Sequence, residues 1–163
     1  ALRDLYRKSV PLAKRSQCVR DQVGGVIVDR HNKIIGEGYN GPPRGFDHRN
    51  KPCTSWCQRT KNAKIAMMLD GSENRGLHPT YDDCPSLHAE ANALLLADRS
   101  LCAGGTIFVT SYVCLGCAKL IANSGLVLVV VRSARRDYRP VQATLDFLAA
   151  CGLDVRIYEE EDE

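Results

Sequence analysis

The chain has 163 residues, 44% hydrophobic and 25% charged but only 6% aromatic, with 8 cysteines and a formal net charge of +3. That length suits one domain with a sizeable core and excludes a disordered chain, and no apolar run approaches the roughly 18 residues of a membrane span. The charge is uneven: from residue 154 onward there are six acids and one Arg, which leaves 21 Lys+Arg against 13 Asp+Glu in residues 1–153, a body of +8 suited to an anionic ligand such as a phosphate.

The chain opens on Arg3, Asp4, Arg7 and Lys8 with no secretory-type apolar centre, so a cytoplasmic location is expected. Leu2, Leu5, Tyr6, Val10, Leu12, Ala13 and Cys18 follow a helical apolar period, broken or kinked near Pro11. Val23 to Val28 and Ile34 to Tyr39 read as strands of a hairpin with Asn32 near its tip. Asn40-Gly41-Pro42-Pro43-Arg44-Gly45 then opens a long irregular insertion, about 41–86, with one helix expected from about Ser55 to Leu69. Beyond it, helix is expected from Leu87 to Arg99 with Ser86 as its cap, strand at Thr106 to Thr110, and helix at Cys114 to Asn123 with Gly125 past its end. Strand Leu126 to Val131, helix Val141 to Cys151 between Pro140 and Gly152, and strand Leu153 to Tyr158 complete the pattern. The order predicts an α/β protein: a three-layer α/β/α fold on a five-stranded mixed sheet, its later strands parallel through βαβ crossovers. One domain is expected over residues 1–158, with 159–163 as an acidic tail.

Eight cysteines in a chain of this kind point to metal ligands or a redox pair rather than to disulfides. Two helix starts carry the chemistry. Cys114-Leu115-Gly116-Cys117 aims two sulfurs at one point, where the helix dipole and free N–H groups favour thiolates. His88 can add a third ligand, which leaves an open position for water, and Glu90 stands close enough to act on that water without being a ligand. A Cys-x-x-Cys alone also occurs in redox proteins. Together the pieces match the zinc nucleobase deaminase signature, His-x-Glu followed by Pro-Cys-x-x-Cys.

On these residues the sequence resembles the cytidine/deoxycytidylate deaminase superfamily, and within it the deoxycytidylate (dCMP) deaminases. Carrying the resemblance are Gln22-Val23-Gly24-Gly25-Val26-Ile27-Val28, Gly38-Tyr39-Asn40-Gly41-Pro42-Pro43-Arg44-Gly45, His88-Ala89-Glu90-x-Asn92-Ala93 and Cys114-x-x-Cys117-Ala118-Lys119. The resemblance implies a cytidine-deaminase-like fold and hydrolytic deamination of dCMP to dUMP, with His88, Cys114 and Cys117 holding a catalytic Zn²⁺. It implies that Glu90 moves protons from water to N3 and the leaving amine, that the backbone at Ala89 contacts the base, and that Asn40 contacts the sugar. Asn40 read by itself serves equally as a turn residue satisfying backbone before Gly41. The family's small residue-Pro pair before the first Cys is replaced by Tyr112-Val113. Tyr112 either lines the base pocket, which would alter tolerance for a 5-substituent, or points into the core.

Arg20, Arg44 and Tyr138 are candidates for the substrate phosphate, each also explicable as a solvated side chain. In the insertion, His48, Cys53, Cys57, His78 and Cys84 are candidates for a second, structural zinc of the kind some members of the family carry. The resemblance also brings an expectation of a homo-oligomer regulated by dCTP and dTTP, with Gly38, Tyr39, Gly41 and Arg99 as effector candidates. Arg99 is equally a favourable cation at a helix end. Two other readings remain open at this stage: a deaminase of cytosine in single-stranded nucleic acid, disfavoured by the few aromatics for stacking, and a noncatalytic zinc-stabilised binding protein.

Overall fold

The computed structural model describes residues 2–19, 21–46, 84–132 and 140–159. In chain order they form α1 (Leu2–Ala13), β1 (Gly24–Val28), β2 (Ile34–Tyr39), α2 (Ala89–Leu96), a 3-10 turn (Arg99–Leu101), β3 (Thr106–Val109), α3 (Leu115–Ala122), β4 (Leu128–Arg132), α4 (Pro140–Ala150) and β5 (Asp154–Tyr158). The helix expected at 55–69, the metal candidates His48, Cys53, Cys57 and His78, the phosphate candidates Arg20 and Tyr138, and tail residues 160–163 lie outside the described residues.

The strands order as β2-β1-β3-β4-β5. β1 runs antiparallel to both β2 and β3, while β3, β4 and β5 are parallel, so the sheet is mixed as expected. Its hairpin turns at Asn32, whose φ of 64° is a left-handed conformation that Asn tolerates well. Strand alternation feeds two cores. Val26, Val28, Phe108 and Val130 face α1, where Tyr6 and Leu12 complete one cluster. Ile27, Ile107, Val109, Val129 and Val131 face the other way, against Ala93 of α2, Ala118 and Ile121 of α3 and Leu148 of α4. Apolar residues on both faces explain why the strands read as continuous runs rather than as alternating ones.

Several boundaries differ from the expected ones. α1 continues through Pro11 and ends at Ala13, so Cys18 falls outside it. Ser86 does not cap α2. Leu87 exchanges two backbone hydrogen bonds with Gly41 and is held extended, so the helix starts at Ala89 with His88 in the cap position and no side-chain cap. α2 also stops before Arg99, because Ala97 turns extended and the Asp98 carboxylate accepts from the Ser100 N–H, which caps a new 3-10 turn. At α3, Asn123 is the C-cap and Gly125 follows with φ 92°, as its sequence predicts.

Candidate active site

Because β1 is antiparallel to its neighbours, the start of β1 and the ends of β2 and β3 share one edge of the sheet. Thr110 fastens that edge: its N–H donates to the Gly24 carbonyl and its Oγ1 accepts from the Gly24 N–H. The helices that leave the edge, α2 and α3, point their N-termini at a common point. α2 lies unusually close to the sheet because β2 offers it glycine. A Cβ at Gly38 would stand 2.6 Å from the Ala89 carbonyl oxygen and nearer still to the Ala93 nitrogen.

At that point the ligand atoms of His88, Cys114 and Cys117 lie within 4.8 Å of one another. His88 Nδ1 is 3.4 Å from Cys114 Sγ and 3.5 Å from Cys117 Sγ. A tetrahedral zinc with Zn–S of about 2.3 Å and Zn–N of about 2.05 Å sets its N and S ligands about 3.6 Å apart, so this set fits zinc and, among the described residues, leaves the fourth position open. Cys114 is also the N-cap of α3, its Sγ accepting from the Cys117 N–H at 3.4 Å. The hydrogen bond from the Cys117 thiol, with His88 beside it, pulls the Cys114 thiol down to about 4. The same thiol–thiol bond and burial push Cys117 up. Metal ligation needs both sulfurs deprotonated, so binding releases protons from the pair.

Glu90 is only 3% exposed, in the first turn of α2. Burial pushes its carboxyl up to about 7; the Cys114 charge adds to this and His88 opposes it. A carboxyl poised near neutrality beside a three-ligand metal set can both accept and deliver a proton. Ala89 is fully buried beside it.

The Asn40 loop is tied to the same point. Asn40 Oδ1 accepts from the Val23 N–H at 2.8 Å, and Nδ2 donates to the Asp21 carbonyl at 2.8 Å. Its side chain therefore satisfies backbone across the edge of the sheet, and each amide atom keeps one further hydrogen-bonding position. Asn92 Nδ2 donates to the Tyr39 carbonyl at 2.9 Å, which joins the loop to α2. Gly38 is buried under α2, whereas Tyr39 and Gly41 are half-buried and Arg44 is exposed. Arg15, which the sequence alone did not single out, sets its guanidinium over the Tyr39 ring at 5.2 Å. Arg99 is remote in function from the end of α2: its Nη2 donates to the Asn123 carbonyl at 2.5 Å, the C-cap of α3. Tyr112 and Cys84 are half-buried, and Val113 is in the core at 3% exposure. Asn92 and Thr110 also escaped assignment, although Asn92 stands two residues past Glu90 in a motif already noted.

Residues 1–133 match the family model described as the cytidine and deoxycytidylate deaminase zinc-binding region. The chain belongs to this family. It is 38% identical over 118 residues to a deoxycytidylate deaminase of Mycobacterium phage D29, a match spanning 72% of this chain and 83% of that protein. A deoxycytidylate deaminase of Schizosaccharomyces pombe is 35% identical over 147 residues, 90% of this chain but only 40% of the longer yeast protein. Among solved structures, the dCMP deaminase of cyanophage S-TIM5 in complex with dCMP and dUMP superposes with a TM-score of 0.67 at 26% identity, covering 96% of each chain. The family is zinc-dependent, in keeping with the His/Cys/Cys set. No helix among the described residues is long and apolar enough to cross a membrane.

Proposed function

We propose that the chain catalyses the hydrolytic deamination of dCMP, in which water replaces the 4-amino group of cytosine to give dUMP and ammonia. The observation that carries this reading is Glu90, buried beside a three-ligand set that leaves one metal position open. A purely structural zinc site has no use for an unliganded acid at that place. His88, Cys114 and Cys117 hold the zinc, which when bound supplies Lewis acidity and a water activated near neutral pH. Glu90 accepts a proton from water, passes it to N3 of the ring, and supplies a proton to the departing amine. The Ala89 backbone meets the base and Asn40 the sugar, with Arg20, Arg44 and Tyr138 toward the phosphate. The phage and cyanophage relatives, which are deoxycytidylate deaminases, support the choice of nucleotide.

Finer readings go with it. The domain spans 1–158 and acts in the cytoplasm. A second, structural zinc uses Cys84, with ligands from the insertion among His48, Cys53, Cys57 and His78. Exposed Leu95, Leu96, Leu115 and Leu120 on α2 and α3 support homo-oligomer formation. Regulation by dCTP and dTTP through the Gly38 to Gly45 loop is supported by that loop's attachment to Leu87, just before α2, and to Asn92 within it.

The test is loss of cytosine absorbance with zinc-loaded protein across dCMP, CMP, deoxycytidine, dCTP, 5-methyl-dCMP and a cytosine-containing oligonucleotide, with zinc counted per chain. Preference for dCMP is expected, and two zincs. Preference for 5-methyl-dCMP would assign Tyr112 to the pocket. Turnover of the oligonucleotide alone overturns the proposal.

A further inference from the structure

Among the described residues, the three buried serines fall into two kinds. Ser9, inside α1, and Ser124, just past α3, each donate to a carbonyl three residues earlier, a local helical bond. Ser16, 3% exposed, is different: its Oγ donates 2.8 Å to the carbonyl of Asn40, 24 residues away, while accepting from the Cys18 N–H at 3.2 Å. Its own carbonyl accepts from Gln22 Nε2 at 2.6 Å. Asn40 is thus gripped at every polar atom. Its N–H donates to the Val23 carbonyl at 3.1 Å, its side chain spans Val23 N–H and the Asp21 carbonyl, and its carbonyl belongs to Ser16.

We infer that Ser16 is a positioning residue for the nucleotide: it fixes the peptide plane that follows Asn40 and so sets where the Asn40 amide presents its remaining donor and acceptor. This rests on the deamination reading, in which that amide meets the sugar. The argument is one of rotational freedom. The Asn40 peptide is the last before Gly41, and a glycine leaves its neighbours free to swing unless something holds them. The Gly41–Leu87 pair holds the far side, and Ser16 holds the near side. Without the hydroxyl, the carbonyl of half-buried Asn40 loses its side-chain donor, and the peptide is expected to turn toward another donor and take the amide out of register. Ser16 touches neither the metal ligands nor Glu90, so its loss acts on binding rather than on the proton steps.

The experiment uses full-length zinc-loaded protein and the variants Ser16→Ala, Asn40→Ala and their combination. In Ser16→Ala, KM for dCMP is expected to rise about three- to tenfold, as for one lost hydrogen bond, with kcat within about twofold and zinc per chain unchanged. In the Asn40→Ala background, Ser16→Ala adds no further rise, since both act through one group. Hydrogen exchange of the Cys18 and Val23 amides quickens in Ser16→Ala. Should that variant not fold, Gln22→Ala, which frees only the Ser16 carbonyl at an exposed side chain, is expected to raise KM about twofold and to quicken the same exchange. Equal KM effects of Ser16→Ala in both backgrounds, or unchanged exchange at Cys18 and Val23, overturn the inference. If no cytosine nucleotide is turned over by the unmodified chain, the deamination reading fails, and the exchange measurement still decides whether Ser16 holds the loop.

Discussion

Gly38→Ala tests the claim that the site depends on how closely α2 approaches the sheet. The backbone at Gly38 is ordinary strand, so alanine is penalised for its volume and not for its φ. Its Cβ would stand 2.6 Å from the Ala89 carbonyl oxygen, against about 3.4 Å for an ordinary contact, and both the Ala93 nitrogen and the Asn92 carbonyl carbon close the remaining directions. No flexible side chain can yield, so α2 must retreat by about 0.8 Å or more. Overpacking of this kind costs about 1–3 kcal/mol, and alanine returns about 0.4–1 kcal/mol by stiffening the unfolded chain. The net loss is about 0–2.6 kcal/mol, with about 1.3 kcal/mol as its middle, or about 3–5 °C in Tm for a chain of this size. The retreat also carries Ala89 and Glu90 away from the point set by α3, and a misplacement near 1 Å costs about 10²-fold in turnover. Gly25 is the control: its Cβ would meet the same Ala89 oxygen at 3.4 Å, so Gly25→Ala should stay within about 0.5 kcal/mol and keep most activity. Thermal melts and kcat on zinc-loaded protein decide it. A Gly38→Ala variant with unchanged Tm and kcat, or a Gly25→Ala variant as damaged as Gly38→Ala, would refute the reasoning.

Glu90→Gln should lower kcat by about 10²–10⁴-fold while zinc per chain stays constant, because the carboxyl moves protons and holds no metal. Cys114→Ser and Cys114→Ala should both bring metal content at this site near zero, but serine keeps an acceptor for the Cys117 N–H, so only the alanine variant loses the α3 cap and is about 1 kcal/mol less stable than the serine one. In metal-free protein Glu90 binds its proton more tightly folded than unfolded, with the folded value pushed by burial from 4.5 to about 7. The unfolded state then holds fewer protons between those pH values, so stability falls as pH rises from about 4.5 to 7, by up to about 3 kcal/mol, and Glu90→Gln should flatten that slope in urea titrations. Arg99→Ala should cost about 0.3–1 kcal/mol by removing a cation from the α3 C-terminus. Its response to dCTP and dTTP should match that of the unmodified chain; an altered response would return Arg99 to the effector site.

The order of strands and helices was legible because each carries its own period and start or stop signal, Pro140 at the first position of α4 and Gly125 after α3 among them. The metal set was legible for a similar reason: each ligand sits at or beside a helix start, where spacing in sequence fixes spacing in space. What escaped was everything decided by long-range backbone pairing. Ser86 has the right chemistry for a cap, yet Leu87 is claimed by Gly41, 46 positions away, and no local pattern announces that. Gly38 stands in the sequence only as an effector candidate, and nothing local shows that its missing side chain makes room for α2. Arg99, an effector candidate and equally a cation for a helix end, donates to the C-cap carbonyl of α3, a partner that sequence spacing does not reveal.

The replacement of the family's small residue-Pro pair by Tyr112-Val113 shows how such a departure is absorbed. Proline before a helix pre-sets the backbone and removes a donor that would otherwise need a partner. Here Cys114 holds extended dihedrals, φ −76° and ψ 161°, and its own sulfur accepts from the Cys117 N–H, so the helix start is fixed from within the metal set. Val113 uses the vacated position for burial, at 3% exposure in the same cluster as Cys117 and Ala118. Anchoring the first ligand on its core side makes a ring at that position unnecessary for rigidity. Zinc binding is therefore expected to survive the replacement, and the comparison of dCMP with 5-methyl-dCMP decides whether Tyr112, the half-buried neighbour, lines the base pocket or packs into the core.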